Sequence, residues 1–552
     1  MELAARSSRE GGPLSNRVVA GVLVMLGPLG PTHLYGQGAT AGDADSLKIP
    51  LSAAIRRAHA AGTRDSTGRP GPNYWQLWTE YTIDARLDET TSMVIGRETV
   101  SLHNTSPFSL KAIQLRLDQN RFRPRTPADR SVPHPTDGMI VTRVVVNGEE
   151  AAIGPGVTIT GPVLSGTQGT SERLSLAQPV TPDEKLQFEI EWHFEVPLDD
   201  ESSAFRLGRW GTYLYQVAQW YPRVAMFDDL NGWDLSTYDG NTEFYNPYGR
   251  FDVRLDVPAG WLVGATGILQ NPEQVLTART RNRLAQALTT DSTITVVGLD
   301  EGGAGMATLP GDRLIWHFVA DSVRDFAWGT SRQYAWKATR VDIPGRRPIS
   351  IHFLYTSRHA DQFATAAAIV RHDLAFNSSL IMPYAYPQHT LLDGPEGAME
   401  YPMLTMSDGT ALAHEVWHQW WPIMVGSNET WYSFMDEGFA GFLGGLTVSS
   451  RMGSVPTYGD ATPRSLPVPL IWPDDRGPPD LMAASYGYGR PRRMFAALGN
   501  MVGHVAVVRA LSGYAKAWRF KHPSPWDLMF YMNQALDRDL SAFWYKWIFA
   551  TQ

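Results

Sequence analysis

The 552-residue sequence contains no cysteine. That excludes a disulfide framework, a thiol nucleophile and any thiolate-ligated metal. A metal in this chain must be held by His and carboxylate side chains. Neither sign of charge dominates: 48 Lys and Arg stand against 56 Asp and Glu, a formal net charge of −8. No broad basic surface follows from that balance, so nucleic acid is not an expected partner. Long apolar runs are missing too. No stretch reaches the roughly 18 apolar residues of a spanning helix, and no stable membrane span is expected. What is abundant is aromatic, with 19 Trp, 21 Tyr and 21 Phe. That supply fits large folded cores and an aromatic-lined cleft in a chain long enough for several domains.

The N-terminus carries an ordered pattern. Arg6, Arg9 and Arg17 precede an apolar run at residues 18–30, interrupted by Pro28, and small residues follow near Gly36. Charge, short apolar core and small residues are the order of an export signal. Residues 1–38 are read as that signal, which implies a periplasmic or secreted protein. Residues 39–75, rich in Gly, Ala, Ser and charge, read as a flexible lead-in.

From Tyr81 the period becomes two. Tyr81, Ile83, Ala85 and Leu87 alternate with polar residues, then Val100 with Leu102, then Ile113, Leu115 and Leu117. Turn signals separate these runs, and further strands are expected at 186–194, 251–257 and 293–297. Residues 76–330 are therefore predicted to form an antiparallel β-sandwich or saddle. After a strand-like stretch at 348–355 the period changes to helical, at 362–374, 411–421, 433–446, 493–506 and 525–536. Residues 331–552 read as a mainly helical domain with a small sheet. The whole is an α+β multidomain chain.

One motif in the helical half carries chemistry. His414-Glu415-Val416-Trp417-His418 places two imidazoles four residues apart. On a helix they point the same way and can hold one ion. Glu415 lies beside them, within reach of a water on that ion, and a carboxylate there can take the water's proton. Ala411, Leu412, Val416, Trp417, Trp420 and Trp421 make the helix apolar, so buried polar groups on it need partners, which a metal supplies. A catalytic zinc site needs a third protein ligand and an open position. Glu437 stands 19 positions after His418, at the start of another apolar helix.

At these residues the chain resembles the gluzincin aminopeptidases, the family of aminopeptidase N and leukotriene hydrolase. Gly397-Ala398-Met399-Glu400 resembles the family's GxMEN exopeptidase motif, Asp436-Glu437-Gly438-Phe439-Ala440 its NEGFA, and Tyr488-Gly489-Arg490-Pro491 its YxKP element. Residues 102–106 resemble a turn of its N-terminal saddle. The resemblance implies a saddle domain followed by a thermolysin-like catalytic domain. It implies one zinc ion per chain on His414, His418 and Glu437, with Glu415 as general base. Tyr488 becomes the donor to the oxyanion, with Tyr486 as the other candidate. Glu400 becomes the anchor of a substrate's free α-ammonium, in a subsite that includes Gly397, Ala398 and Met399, and Gln219 is aligned weakly with a substrate contact from the β domain.

Three departures stand out. Tyr401 replaces Asn after Glu400. Arg490 replaces Lys and, with Arg492 and Arg493, forms a basic cluster that either meets a peptide C-terminus or is solvated. The sequence also stops at Gln552, shortly after Tyr488, without the large helical domain of many relatives, which predicts an open cleft. The expected activity is removal of N-terminal residues from peptides. An open-cleft endopeptidase and a zinc-bearing peptide-binding protein without turnover are the alternatives.

Overall fold

The computed structural model describes residues 48–551 except 125–131, 133, 155–160, 200–205, 239, 241–242, 457, 467 and 473–484. The export segment at 1–38 lies outside the described residues.

Period-two alternation builds the N-terminal region as expected. In the strand Trp78–Asp88, Tyr81, Ile83, Ala85 and Leu87 are buried while Glu80, Thr82 and Arg86 face water. It pairs antiparallel with Met93–His103, which pairs in turn with Lys185–Glu195. These strands lie in an eight-stranded sheet. Trp78–Asp88 pairs on its other side with Gly249–Pro258, and that pair is parallel. The sheet is therefore mixed rather than purely antiparallel. Alternation fixes which face a side chain takes, and it says nothing of the direction of a distant neighbour. Smaller sheets of five, four and two strands accompany it in this region.

A six-stranded mixed sheet opens the second half. The helix Phe363–Leu380 connects Ile349–Tyr355 to its parallel partner Gln388–Leu392. The chain then forms the hairpin Ala398–Tyr401 with Leu404–Ser407 and leaves one strand, Ala398–Tyr401, at the sheet edge. Helices follow, at Leu412–Trp417, Glu437–Arg451, Arg490–Val502, His504–Ala517 and Pro525–Ala535. Trp417, Trp420 and Trp421 are buried beneath them.

Boundaries differ from the sequence reading in three places. The helix expected at 411–421 is regular only over Leu412–Trp417, and the chain continues in turns to Pro422. The helix expected at 493–506 is two helices that meet at Gly503, where φ is 93°, a backbone state that glycine adopts without strain. These two helices together have the length and composition of a span but bend by 118°; among the described residues no single helix is long and apolar enough to cross a membrane.

The third difference concerns the lead-in. Ala53–Ala61 is a helix capped by Ser52, with Ile55 and Ala58 buried. Just after it, Arg64 is 1% exposed and forms ion pairs with Asp229 at 2.8 Å and with Asp527. Its guanidinium also donates to the carbonyl of His522 and lies 5.2 Å from the Trp518 ring. Polar composition suggested a loose segment, but ion pairing of one buried Arg ties it to both halves of the fold.

Candidate active site

His414 lies in the last turns of the Leu412–Trp417 helix, and His418 keeps helical dihedrals as the residue that caps it. The i, i+4 relation thus survives the helix's early end. Their Nε2 atoms face each other at 3.1 Å, with the rings at 88°. Glu437, the first residue of Glu437–Arg451, brings Oε2 to 2.9 Å from His414 Nε2 and 3.6 Å from His418 Nε2. All three ligand atoms lie within 4.8 Å of one another. His418 Nδ1 lies 2.5 Å from Asp436 Oδ1 and 3.1 Å from the Trp421 carbonyl. Donation of the Nδ1 proton to these acceptors leaves the Nε2 lone pair aimed at the other ligand atoms. Two imidazole nitrogens and a carboxylate converging in a mostly buried pocket form a donor set that fits zinc better than a hard, oxygen-seeking cation.

Glu415 is 4% exposed, and burial pushes its carboxyl up to about 7 against the opposing pull of His418 and His414. Glu415, Glu400 and His418 also offer ligand atoms within 4.8 Å of one another. Tyr488 donates its hydroxyl to Glu437 Oε1. It sits in a π-helical turn, Ser485–Gly489, a distortion often found at functional positions. Burial, with Glu437 beside it, holds the Tyr488 phenol well above its ordinary range, so it remains a donor. The turn is locked by a close approach: a Cβ on Gly438 would lie 2.5 Å from Pro491 Cβ. Gly438 and Pro491 thereby fix Tyr488 against Glu437. Tyr486 makes no contact with the three ligand atoms.

Glu400 lies on the edge strand Ala398–Tyr401, is 5% exposed, and brings Oε1 to 3.7 Å from His418 Nδ1. That oxygen has no hydrogen-bond partner. Burial drives the carboxyl well above the usual carboxylate range. Of the motif's other members, Met399 is buried and its Sδ accepts from Arg206 at 3.1 Å, while Ala398 is exposed and Gly397 half-exposed. Tyr401 has a use that Asn would not share: its hydroxyl accepts from Gln219 Nε2 at 2.6 Å and donates to the Arg206 carbonyl at 3.1 Å. Gln219 is thus bound to Tyr401, in a strained backbone with φ 46°.

The basic cluster is overturned in part. Arg490 is 2% exposed and spends its guanidinium on the carbonyls of Trp547, Arg464, Lys546 and Ala550. It pins the last helical turn of the chain and is neither solvated nor free to meet a peptide. An inward Arg and an outward Arg look alike in sequence.

Several residues escaped the sequence reading. Glu243 is 4% exposed and paired with Arg206 at 2.5 Å. With Glu400, Glu429 and Asp436 it forms a buried group of four carboxylates, their oxygens within 4.8 Å of one another. Arg324 neutralises Glu429 at 2.7 Å. Gln216 accepts from Glu396 N at 2.7 Å and donates to the Leu392 and Glu396 carbonyls, which straps down the loop ahead of Glu400. None of these has a fixed offset from the metal motif, so no spacing signals them. Asp436 did lie in a quoted motif, and its bond to His418 is what that position supplies. Away from this site, His352 and His389 are held neutral by burial, down to about 4 and about 3.

No protein-family model and no curated protein matches this sequence. Solved structures do match its fold. A two-domain M1 zinc metallopeptidase bound to L-tryptophan is 15% identical with a TM-score of 0.58, over 88% of this chain and 98% of its own. The M1 zinc metallopeptidase of Deinococcus radiodurans bound to a Tyr-Ser-Ala substrate gives the same figures, 15%, 0.58, 88% and 98%. Aminopeptidase A of Legionella pneumophila in complex with aspartic acid is 11% identical with a TM-score of 0.57, over 86% of this chain and 50% of its own. The chain therefore has the two-domain M1 zinc metallopeptidase fold, with a candidate zinc site at His414, His418 and Glu437.

Proposed function

We propose that the chain is a zinc-dependent aminopeptidase that removes N-terminal residues from peptides. One observation carries the exopeptidase part: a buried carboxylate, Glu400, with an unpartnered oxygen, stands beside the metal triad. A buried acceptor of that kind selects a cationic group, and a peptide's α-ammonium is the cation that places the first peptide bond next to the triad. The short Tyr-Ser-Ala substrate of the Deinococcus relative supports the reading.

His414, His418 and Glu437 would hold the zinc ion. When bound, zinc polarises the scissile carbonyl and acidifies a water molecule. Glu415, buried beside His414 and His418, accepts a proton from the attacking water and returns it to the leaving amine. Tyr488 donates to the oxygen that gains charge in the tetrahedral transition state. Asp436 keeps His418 in one tautomer throughout. We also propose that the protein is exported, a reading that rests on residues 1–38 alone.

The test is digestion of a peptide mixture holding free and N-acetylated versions of each peptide, with a chelator control, followed by mass spectrometry. Stepwise N-terminal loss from free peptides only supports the reading. Internal cuts in both versions make the chain an endopeptidase. No cleavage with zinc present moves the reading to a binding role.

A further inference from the structure

A second cavity, of about 450 Å³, lies apart from the metal site. That volume falls near the small end of the roughly 300–1,000 Å³ that hold small-molecule ligands. Its walls come from both halves of the fold. Val263 and Phe318 belong to the β region, while Trp336, Ala338 and Leu354 belong to the sheet that leads to Glu400. The helix Ala278–Ala287 roofs it with Leu284 and Ala285. The cavity opens to solvent on one side, so without an occupant its apolar walls stay in contact with water, and covering them is favourable.

The interior selects an uncharged body. His352 lines it, and both ring nitrogens are in use: Nδ1 accepts from Trp336 Nε1 at 3.3 Å and Nε2 meets Ser350 Oγ at 3.2 Å. Gln388 is spent on the carbonyls of Ala265 and Gly267. No ionised group is left inside. Charge appears only on the roof, on Arg281 and Glu273. Glu273 is exposed and screened by solvent, whereas Arg281 is half-buried. Arg281 donates once, to the Leu276 carbonyl at 2.7 Å, and makes no ion pair among the described residues. Ile268 and Leu288, 44% and 41% exposed, stand at this cavity as uncovered apolar surface.

We propose that this cavity binds a medium-chain monocarboxylate, its alkyl tail among Phe318, Trp336 and Leu354 and its carboxylate on Arg281. The tail covers Ile268 and Leu288, and the guanidinium supplies the charge-assisted donors that the head needs.

Titration calorimetry on the full chain tests this with octanoate, octanol and octylammonium as probes. Octanoate binds saturably, one per chain. Arg281→Gln weakens octanoate about tenfold, to the level of octanol, the effect of losing one charge-assisted contact. Ala285→Trp fills the cavity from an exposed helical position and weakens octanoate and octanol by more than about tenfold through exclusion. Absence of saturable octanoate binding overturns the proposal, as does unchanged affinity in Ala285→Trp. Octylammonium binding as tightly as octanoate overturns the assignment of Arg281. None of these readouts depends on peptidase activity.

Discussion

The two sides of the active site are built in opposite ways. The metal side is local: His414, His418, Asp436 and Glu437 fall within one short stretch of chain and two helices. The amine side is assembled from afar. Glu400 sits on an edge strand against His418 and Asp436, and the β region adds Glu243 beside it, Arg206 on Met399, and Gln216 and Gln219 on its loop and strand. The local side keeps its geometry through helical spacing. The assembled side depends on the docking of one half of the chain against the other, so it can vary while the helical spacing of the metal ligands stays fixed.

Four measurements sharpen or break that contrast. The largest effect belongs to the metal side. Glu415→Gln should lower kcat by roughly 10²–10⁴, the range of a lost general base, with zinc content by elemental analysis unchanged. Full retained activity would break the assignment. On the amine side, Glu400→Ala should lower kcat/KM for free peptides by roughly two orders of magnitude, about 2–3 kcal/mol, mainly through KM. Equal losses on free and N-acetylated substrates would show that Glu400 is not an amine anchor.

Gln216→Ala probes the docking itself. It removes three hydrogen bonds to the loop before Glu400, worth about 1–3 kcal/mol in loop placement, so KM for free peptides should rise about tenfold with zinc content unchanged. A fall in zinc content instead would mean that the two sides are not separable.

The smallest effect touches stability alone. Asp228, 6% exposed, has its carboxyl raised to about 6, chiefly by burial. Between pH 3.8 and about 6 the folded protein keeps a proton that the unfolded chain has released, so this group's contribution to stability falls as pH rises through that window. The change is at most about 3 kcal/mol. Urea midpoints taken across pH 4–7 should show that fall in the wild type and lose it in Asp228→Asn. Parallel curves for the two proteins would remove the assignment.

The same contrast explains what the sequence disclosed. The strand at Tyr81 was legible because one face is buried and one is wet, and the metal triad because helical spacing is a sequence property. Gly438 and Pro491 were visible as motif letters, yet their contact, which holds Tyr488 to Glu437, appears only in three dimensions. Glu243 was not legible at all, since a buried carboxylate paired with a distant Arg leaves no periodic trace. Arg490 was misread because composition records charge and not direction. The lead-in was misread because a single buried ion-pair network outweighs polar composition.

That network has a consequence for the order in which the molecule is made. Arg64 leaves the ribosome well before either of its partners, since Asp229 lies 165 positions further along the chain and Asp527 lies 463. The pair with Asp229 can close early, but the guanidinium must wait through hundreds of further residues for the pair with Asp527. A buried Arg with only part of its partners is costly, so the segment after Ala53–Ala61 docks fully only once the helix Pro525–Ala535 exists. A nascent chain stalled before Asp527 should leave the segment around Arg64 more open to proteases, and synthesis of the helix Pro525–Ala535 should protect both segments together.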